Sequence, residues 1–138
     1  MRRPTLKSML VCDQIIEDVV TRKKTLVGLF ERIAAPEFPT IHGSLGVFFQ
    51  ISDAEGPYDF AVELASIETN ETLGVAKLPS AKIPSAAHTS NFALMFSGIK
   101  FDKPGMHEFR LWCNGQVLGQ HVLQVVHFTP PNHPQPPS

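Results

Sequence analysis

The chain has 138 residues, a formal net charge of -1, 43% hydrophobic and 18% charged residues, which fits one ordered domain with its own core. That charge gives no basic field to draw in nucleic acid. No apolar run approaches the roughly 20 residues of a membrane span, and Met9 to Val11 is too short for a signal-peptide core, so the expectation is a soluble cytoplasmic protein.

Residues 1–8 read as a lead-in with a small basic start (Arg2, Arg3, Lys7), taken as a solvated end. A first strand is predicted over 9–18, with Leu10, Cys12 and Ile16 able to share a face. Thr21 to Lys24 forms a charged turn. Residues 25–33 predict a second strand, apolar on both sides and therefore central or loop-covered. The segment 34–42 holds Pro36 and Pro39 and reads as a loop crossing between sheets, anchored by Phe38. Strands follow over 44–52, 58–68, 73–78 and 89–96. The cleanest alternation sets Tyr58, Phe60, Val62 and Leu64 against Asp59, Ala61 and Glu63. Residues 79–87 read as a loop because they contain Pro79 and Pro84.

The region from Phe101 to Val126 predicts a hairpin. Asn114-Gly115 suits a type I′ turn, whose two central residues need positive φ. Phe109, Leu111 and Cys113 alternate with Glu108, Arg110 and Trp112. Cys113 falls opposite Gln116, and Leu111 opposite Leu118. Strict alternation from Leu118 would expose Leu123 and Val125, so a bulge is predicted near Gly119 to return them to the core.

The result is an all-β chain of about eight strands, expected to form a single antiparallel β-sandwich over 9–128, immunoglobulin-like or C2-like. The tail 129–138, TPPNHPQPPS, has no apolar residue to bury and is expected to be disordered or extended. Its PxxP spacing could suit an aromatic groove, but a solvated tail is the simpler reading.

Catalytic and metal motifs are weak. His42-Gly43-Ser44-Leu45-Gly46 looks like a nucleophile elbow with its first two letters exchanged, yet a strand follows rather than a helix. Glu108 and His121 come near each other across the hairpin, but a dyad needs a pocket and a third group. His121 and His127 lie too far apart along one strand to share an ion, and neither Cys12 nor Cys113 sits in a CxxC pair. Both cysteines read as buried reduced thiols. Asp13, Glu17, Asp18, Asp53 and Glu55 match no calcium-loop spacing. No metal site and no cofactor is expected.

Residues 12–18 (CDQIIED), Lys23 to Ile33 (K-x-x-x-x-G-x-F-E-x-I) and the F-x-x-P-G-x-x-E-F-R-L-W-C-N-G run from Phe101 together resemble an uncharacterised family of small bacterial proteins, a domain of unknown function. The resemblance implies a β-sandwich and transfers no activity or site residue. The functional expectation is a non-catalytic protein-interaction or assembly module, binding a protein partner or itself. The alternative is a small-ligand or glycan binder using Trp112, Tyr58 and neighbouring loops, and a small hydrolase is weakest. Trp112, Arg110 and Val117 should cluster on the hairpin side away from Phe109 and Leu111. The competing reading makes Trp112 a core residue, and it is favoured because a lone Trp is usually well covered.

Overall fold

Alternating apolar residues and turn formers divide the described residues into strands alone. The computed structural model describes residues 3–130; Met1, Arg2 and tail residues 131–138 lie outside the described residues. The strands are β1 (Thr5–Glu17), β2 (Lys24–Leu29), β3 (Arg32–Ala35), β4 (Thr40–Ser52), β5 (Gly56–Ser66), β6 (Thr72–Ile83), β7 (Ser90–Phe101), β8 (Gly105–Cys113) and β9 (Gln116–His127). They form a four-stranded sheet, β2-β1-β4-β7, and a five-stranded sheet, β3-β9-β8-β5-β6. The all-β sandwich expected from the sequence is the observed fold. It has nine strands among the described residues rather than eight, and one pair, β3 with β9, is parallel.

The inner faces meet through Val11, Val47, Phe49 and Ile51 from the smaller sheet and Phe60, Val62, Leu64, Phe109 and Leu111 from the larger. Phe49 lies edge-on to Phe60 with ring centroids 5.4 Å apart. Aromatic pairs of this kind add stability beyond the area they bury.

The hairpin follows its sequence. Asn114 has φ 49° and Gly115 φ 82°, as a type I′ turn requires. Trp112 pairs with Val117, but Leu111 pairs with Gly119, not with Leu118. Leu118 is therefore the extra residue of the bulge, one position before Gly119. Leu123 and Val125 are fully buried as a consequence. Gly119 faces inward beneath Leu6 of β1, where any Cβ would collide with that side chain.

Three expectations fail for physical reasons. The stretch 25–33 is not a central strand. Its first part is the edge strand β2, and the chain then leaves at Phe30-Glu31 to add β3 to the other sheet. Its two-sided apolarity reflects an exposed edge, with Leu29 59% exposed on one side of the crossover and Ile33 buried on the other. Second, Pro79 does not end β6. A bulge at Pro79-Ser80 absorbs it, with Ser80 at φ 52°, and β6 continues to Ile83. An edge strand tolerates this because its outer N–H groups face no partner strand. Third, β1 begins at Thr5, inside the expected lead-in. Arg3 is not simply solvated either, since its guanidinium donates to the Val117 carbonyl at 3.0 Å. The loop after β3 does cross between the sheets, and Phe38 packs against the core there.

Candidate functional site

Residues that point away from the core on the five-stranded sheet form rows across it. Val117, Trp112, Ala61 and Lys77 are register partners on β9, β8, β5 and β6. The next row is Gln120, Arg110, Glu63 and Val75, and the third is Val122, Glu108, Ala65 and Thr72. Arg110, Trp112 and Val117 thus share one face, as the alternation predicts.

A polar network fixes this face. Arg110 Nε donates to Glu108 Oε1 at 2.7 Å, and its Nη1 lies 3.7 Å from Glu63 Oε1. Trp112 Nε1 donates to Glu63 Oε1 at 3.1 Å, while Thr72 Oγ1 donates to Glu63 Oε2. The side chains of Glu63, Arg110 and Glu108 are only 16%, 17% and 18% exposed. Charged groups covered to this degree gain more from their partners than fully solvated surface pairs do. Trp112 is half-buried rather than core, which overturns the reading favoured from the sequence. Its indole is held by Glu63 in the next row, and its direct neighbour on β5 is only Ala61. Exposed Val75, Met106, Val122 and Ile67 surround the network.

The small Ala61 leaves a groove of about 360 Å³ beside Trp112, walled by Lys77, Pro79, Asp59 and Gly115. Its walls are tied together. Asp59 Oδ1 accepts from the Ser80 N–H at 2.8 Å, and the Asp59 N–H donates to Asn114 Oδ1 at 2.9 Å. The Asn114 N–H returns a bond to the Asp59 carbonyl at 2.9 Å. The hairpin turn, the start of β5 and the β6 bulge therefore hold one shape.

The profile of a family of unknown function (DUF6941) matches residues 7–126. The chain belongs to this family. None of the curated proteins compared matches it. Among solved structures it is similar to the alkylpurine DNA glycosylase AlkC of Pseudomonas fluorescens, bound to DNA containing an abasic site analog, with TM-score 0.52 and 12% identity. The match covers 88% of this chain and 30% of that one, so the chain spans under a third of the glycosylase's length, and the likeness is one of fold. An immunoglobulin-like protein from Pseudomonas aeruginosa aligns with TM-score 0.43 and 9% identity over 90% of this chain and 97% of its own.

The other residues singled out from the sequence are placed apart from this face. Tyr58 is 1% exposed and stacks on Phe60 inside the sandwich, so it is a core residue and not part of a binding surface. Ser44 is exposed and pairs in register with Ser97. His42 instead packs on Phe30, 5.7 Å between rings, with Asp13 Oδ1 at 4.0 Å. No hydrogen bond joins Ser44 to His42. Glu108 pairs with Val122 on the outer face, whereas His121 pairs with the inward Phe109, so the two sit on opposite faces. Asp18 is a turn residue, its Oδ1 accepting from the Val20 and Thr21 N–H groups at 2.8 Å each. Those two bonds hold its carboxyl below the usual range. Among the described residues no group of three or more His, Cys, Asp or Glu is placed to hold a metal ion.

Sequence reasoning missed one further feature. The bulge that returns Leu123 to the core turns His121 inward as well. Its Nε2 is buried with no partner among the described residues. It borders a cleft of about 290 Å³ with Leu10, Leu29, Phe30 and Glu31, where the chain crosses from β2 to β3. The same phase shift, carried two residues further back from Leu123, would have found it.

Proposed function

We propose that this protein is a non-catalytic protein-interaction module that binds through the outer face of its five-stranded sheet. The observation that carries the reading is the Trp112-Arg110-Glu63-Glu108 arrangement: a half-buried Trp and an Arg held in fixed positions on an open sheet face. Trp and Arg are enriched among residues that dominate binding energy, and prior ordering lowers the entropic cost of association. Exposed Val75, Val122 and Met106 supply the apolar surroundings that exclude water around such anchors. The test compares proteins captured from native cells by the unaltered chain and by folded Trp112→Ala and Arg110→Glu variants. The reading expects specific partners, or the chain's own copies, to be lost with either variant. An unchanged set of partners overturns it.

A second reading, a small-ligand binder, is favoured by one observation, the buried His121 Nε2 with no partner among the described residues, beside a cleft lined by Leu10, Leu29, Phe30 and Glu31. It predicts thermal stabilisation by a small amphiphile that His121→Leu abolishes. The glycan version built on Trp112 with Tyr58 loses support because Tyr58 is in the core.

A further inference from the structure

We propose that the groove beside Trp112 takes the proline-rich segment 129–138 of a second copy of this chain. The inference rests on the reading of the outer face as an interaction surface and names its occupant.

Three observations converge. First, the groove's chemistry suits a polyproline strand. A Trp ring, Pro79 and the small Ala61 line it, and exposed Lys77 on one wall carries an ammonium that can donate to peptide carbonyls. Proline-rich segments dock on such aromatic-lined grooves because their extended shape is already ordered and their rings pack flat on aromatic faces. Second, the segment TPPNHPQPPS carries no Asp, Glu, Lys or Arg, so no carboxylate, ammonium or guanidinium side chain has to be desolvated at the groove, and it repeats PxxP from Pro131 to Pro134 and from Pro134 to Pro137. Third, the groove is preformed, since Asp59 and Asn114 tie its walls together.

Reach decides between the same copy and another. Val117, the partner of Trp112, lies at the start of β9, and the chain leaves the sheet at its far end, after His127. Those ten residues of strand span about 33 Å. From His127 to Pro137 is also ten residues, about 31 Å in polyproline II. Doubling back along its own sheet, the segment cannot lay its PxxP units against its own Trp112. Another copy's segment has no such limit, whether two copies exchange tails or several join head to tail.

Trp112 is the only Trp in the chain, so its fluorescence reports this groove alone. Sedimentation velocity of the full chain should show association that rises with concentration, accompanied by a blue shift of Trp emission. A synthetic peptide of residues 129–138 in excess should break that association while keeping the emission shifted. The same peptide with Pro131, Pro134 and Pro137 replaced by Ala should do neither. Ala61→Leu, which fills the groove and keeps Trp112, should abolish both effects in a protein that still unfolds cooperatively. A full chain that stays monomeric with emission unmoved by the peptide overturns the proposal. If Trp112→Ala still strips another protein from the captured set in that case, the outer face remains an interaction surface and only the tail assignment falls.

Discussion

The outer faces of the two sheets follow the same alternation and end in opposite states. On the four-stranded sheet, Leu10, Phe48 and Ala93 form one row, and Cys12, Gly46 and Met95 the next. Phe48 points away from the sandwich core yet is only 9% exposed, and Cys12 is fully buried. Gly46 lets neighbours close over the gap: a Cβ there would lie 2.6 Å from Ile15 Cδ1 and 3.0 Å from Met95 Sδ. On the five-stranded sheet the small residue beside the large one is Ala61, and the space over it stays open as a groove among the described residues. Trp112 is left half-covered and tied by a polar network. The difference lies in local cover. On the smaller sheet Ile15 and Met95 fill the space beside Gly46, whereas on the larger sheet the neighbours of Trp112 are held by hydrogen bonds and leave a groove.

The sharpest way to break this contrast is a pair of truncations. Phe48→Ala removes a nearly buried ring and is expected to cost about 3 kcal/mol or more, as core aromatic deletions do. Trp112→Ala should cost about 1 kcal/mol or less, in the range of surface changes, while abolishing association. Urea unfolding of both variants measures the two values. Equal losses would mean that the two faces are alike and that Trp112 is structural.

How much of this was legible in the sequence depends on how local the cause is. Asn114-Gly115 and the bulge follow from residues within one hairpin, and so does the shared face of Arg110, Trp112 and Val117. The β2 to β3 crossover was not legible. No Pro, and no Gly-rich turn, marks Phe30-Glu31, and the parallel pairing of β3 with β9 joins residues some ninety positions apart. Pro79 looks like a strand end in the sequence because its tolerance depends on lying in an edge strand, which only the sheet order reveals. Residue type alone points Trp112 towards the core. Its exposure is decided by Ala61 and Glu63 on another strand.

A titratable group between the sheets supplies a control that belongs to neither outer face. His107 is buried, 5.2 Å ring to ring from Phe101, and its Nδ1 donates to the Gly105 carbonyl at 3.1 Å. Burial lowers its pKa below the usual histidine value, against the smaller raising effects of the Gly105 bond and of Glu68. The folded state therefore keeps His107 neutral where the unfolded chain binds a proton. Its contribution is fully present above about pH 6.5 and is lost as pH falls towards the lowered folded pKa. Stability measured from pH 7.5 to 5 should decline, and His107→Leu should flatten that decline. Trp112→Ala should leave the slope unchanged. An identical slope in His107→Leu would assign the pH dependence to another group.

The thiols test whether the smaller sheet's outer face is closed in solution. Cys12 lies on that face and Cys113 at the core, and both are free. Burial raises both thiol pKa values, which suppresses the reactive thiolate. Alkylation without reductant should give two adducts in denaturant and slow labelling at both positions in the native protein. Fast native labelling of Cys12 alone would show that Leu10, Ile15 and Met95 do not keep that face covered.

The smallest effect expected on stability is that of deleting residues 129–138. The segment has no Val, Ile, Leu, Met, Phe, Trp or Tyr. Little hydrophobic free energy is therefore lost with it. Phe128, the last apolar residue before it, is retained, and its N–H still donates to the Ala35 carbonyl at 3.1 Å beside β3. The melting temperature at low concentration should move by no more than about 2 °C, since a change near 0 kcal/mol shifts it little. At high concentration the two chains should diverge. If the tail bridges copies through the Trp112 groove, association stabilises the full chain by mass action, and its melting temperature rises with concentration while that of the shortened chain stays flat. A large drop at low concentration would instead mean that the tail packs on its own domain, and the groove would then need another occupant.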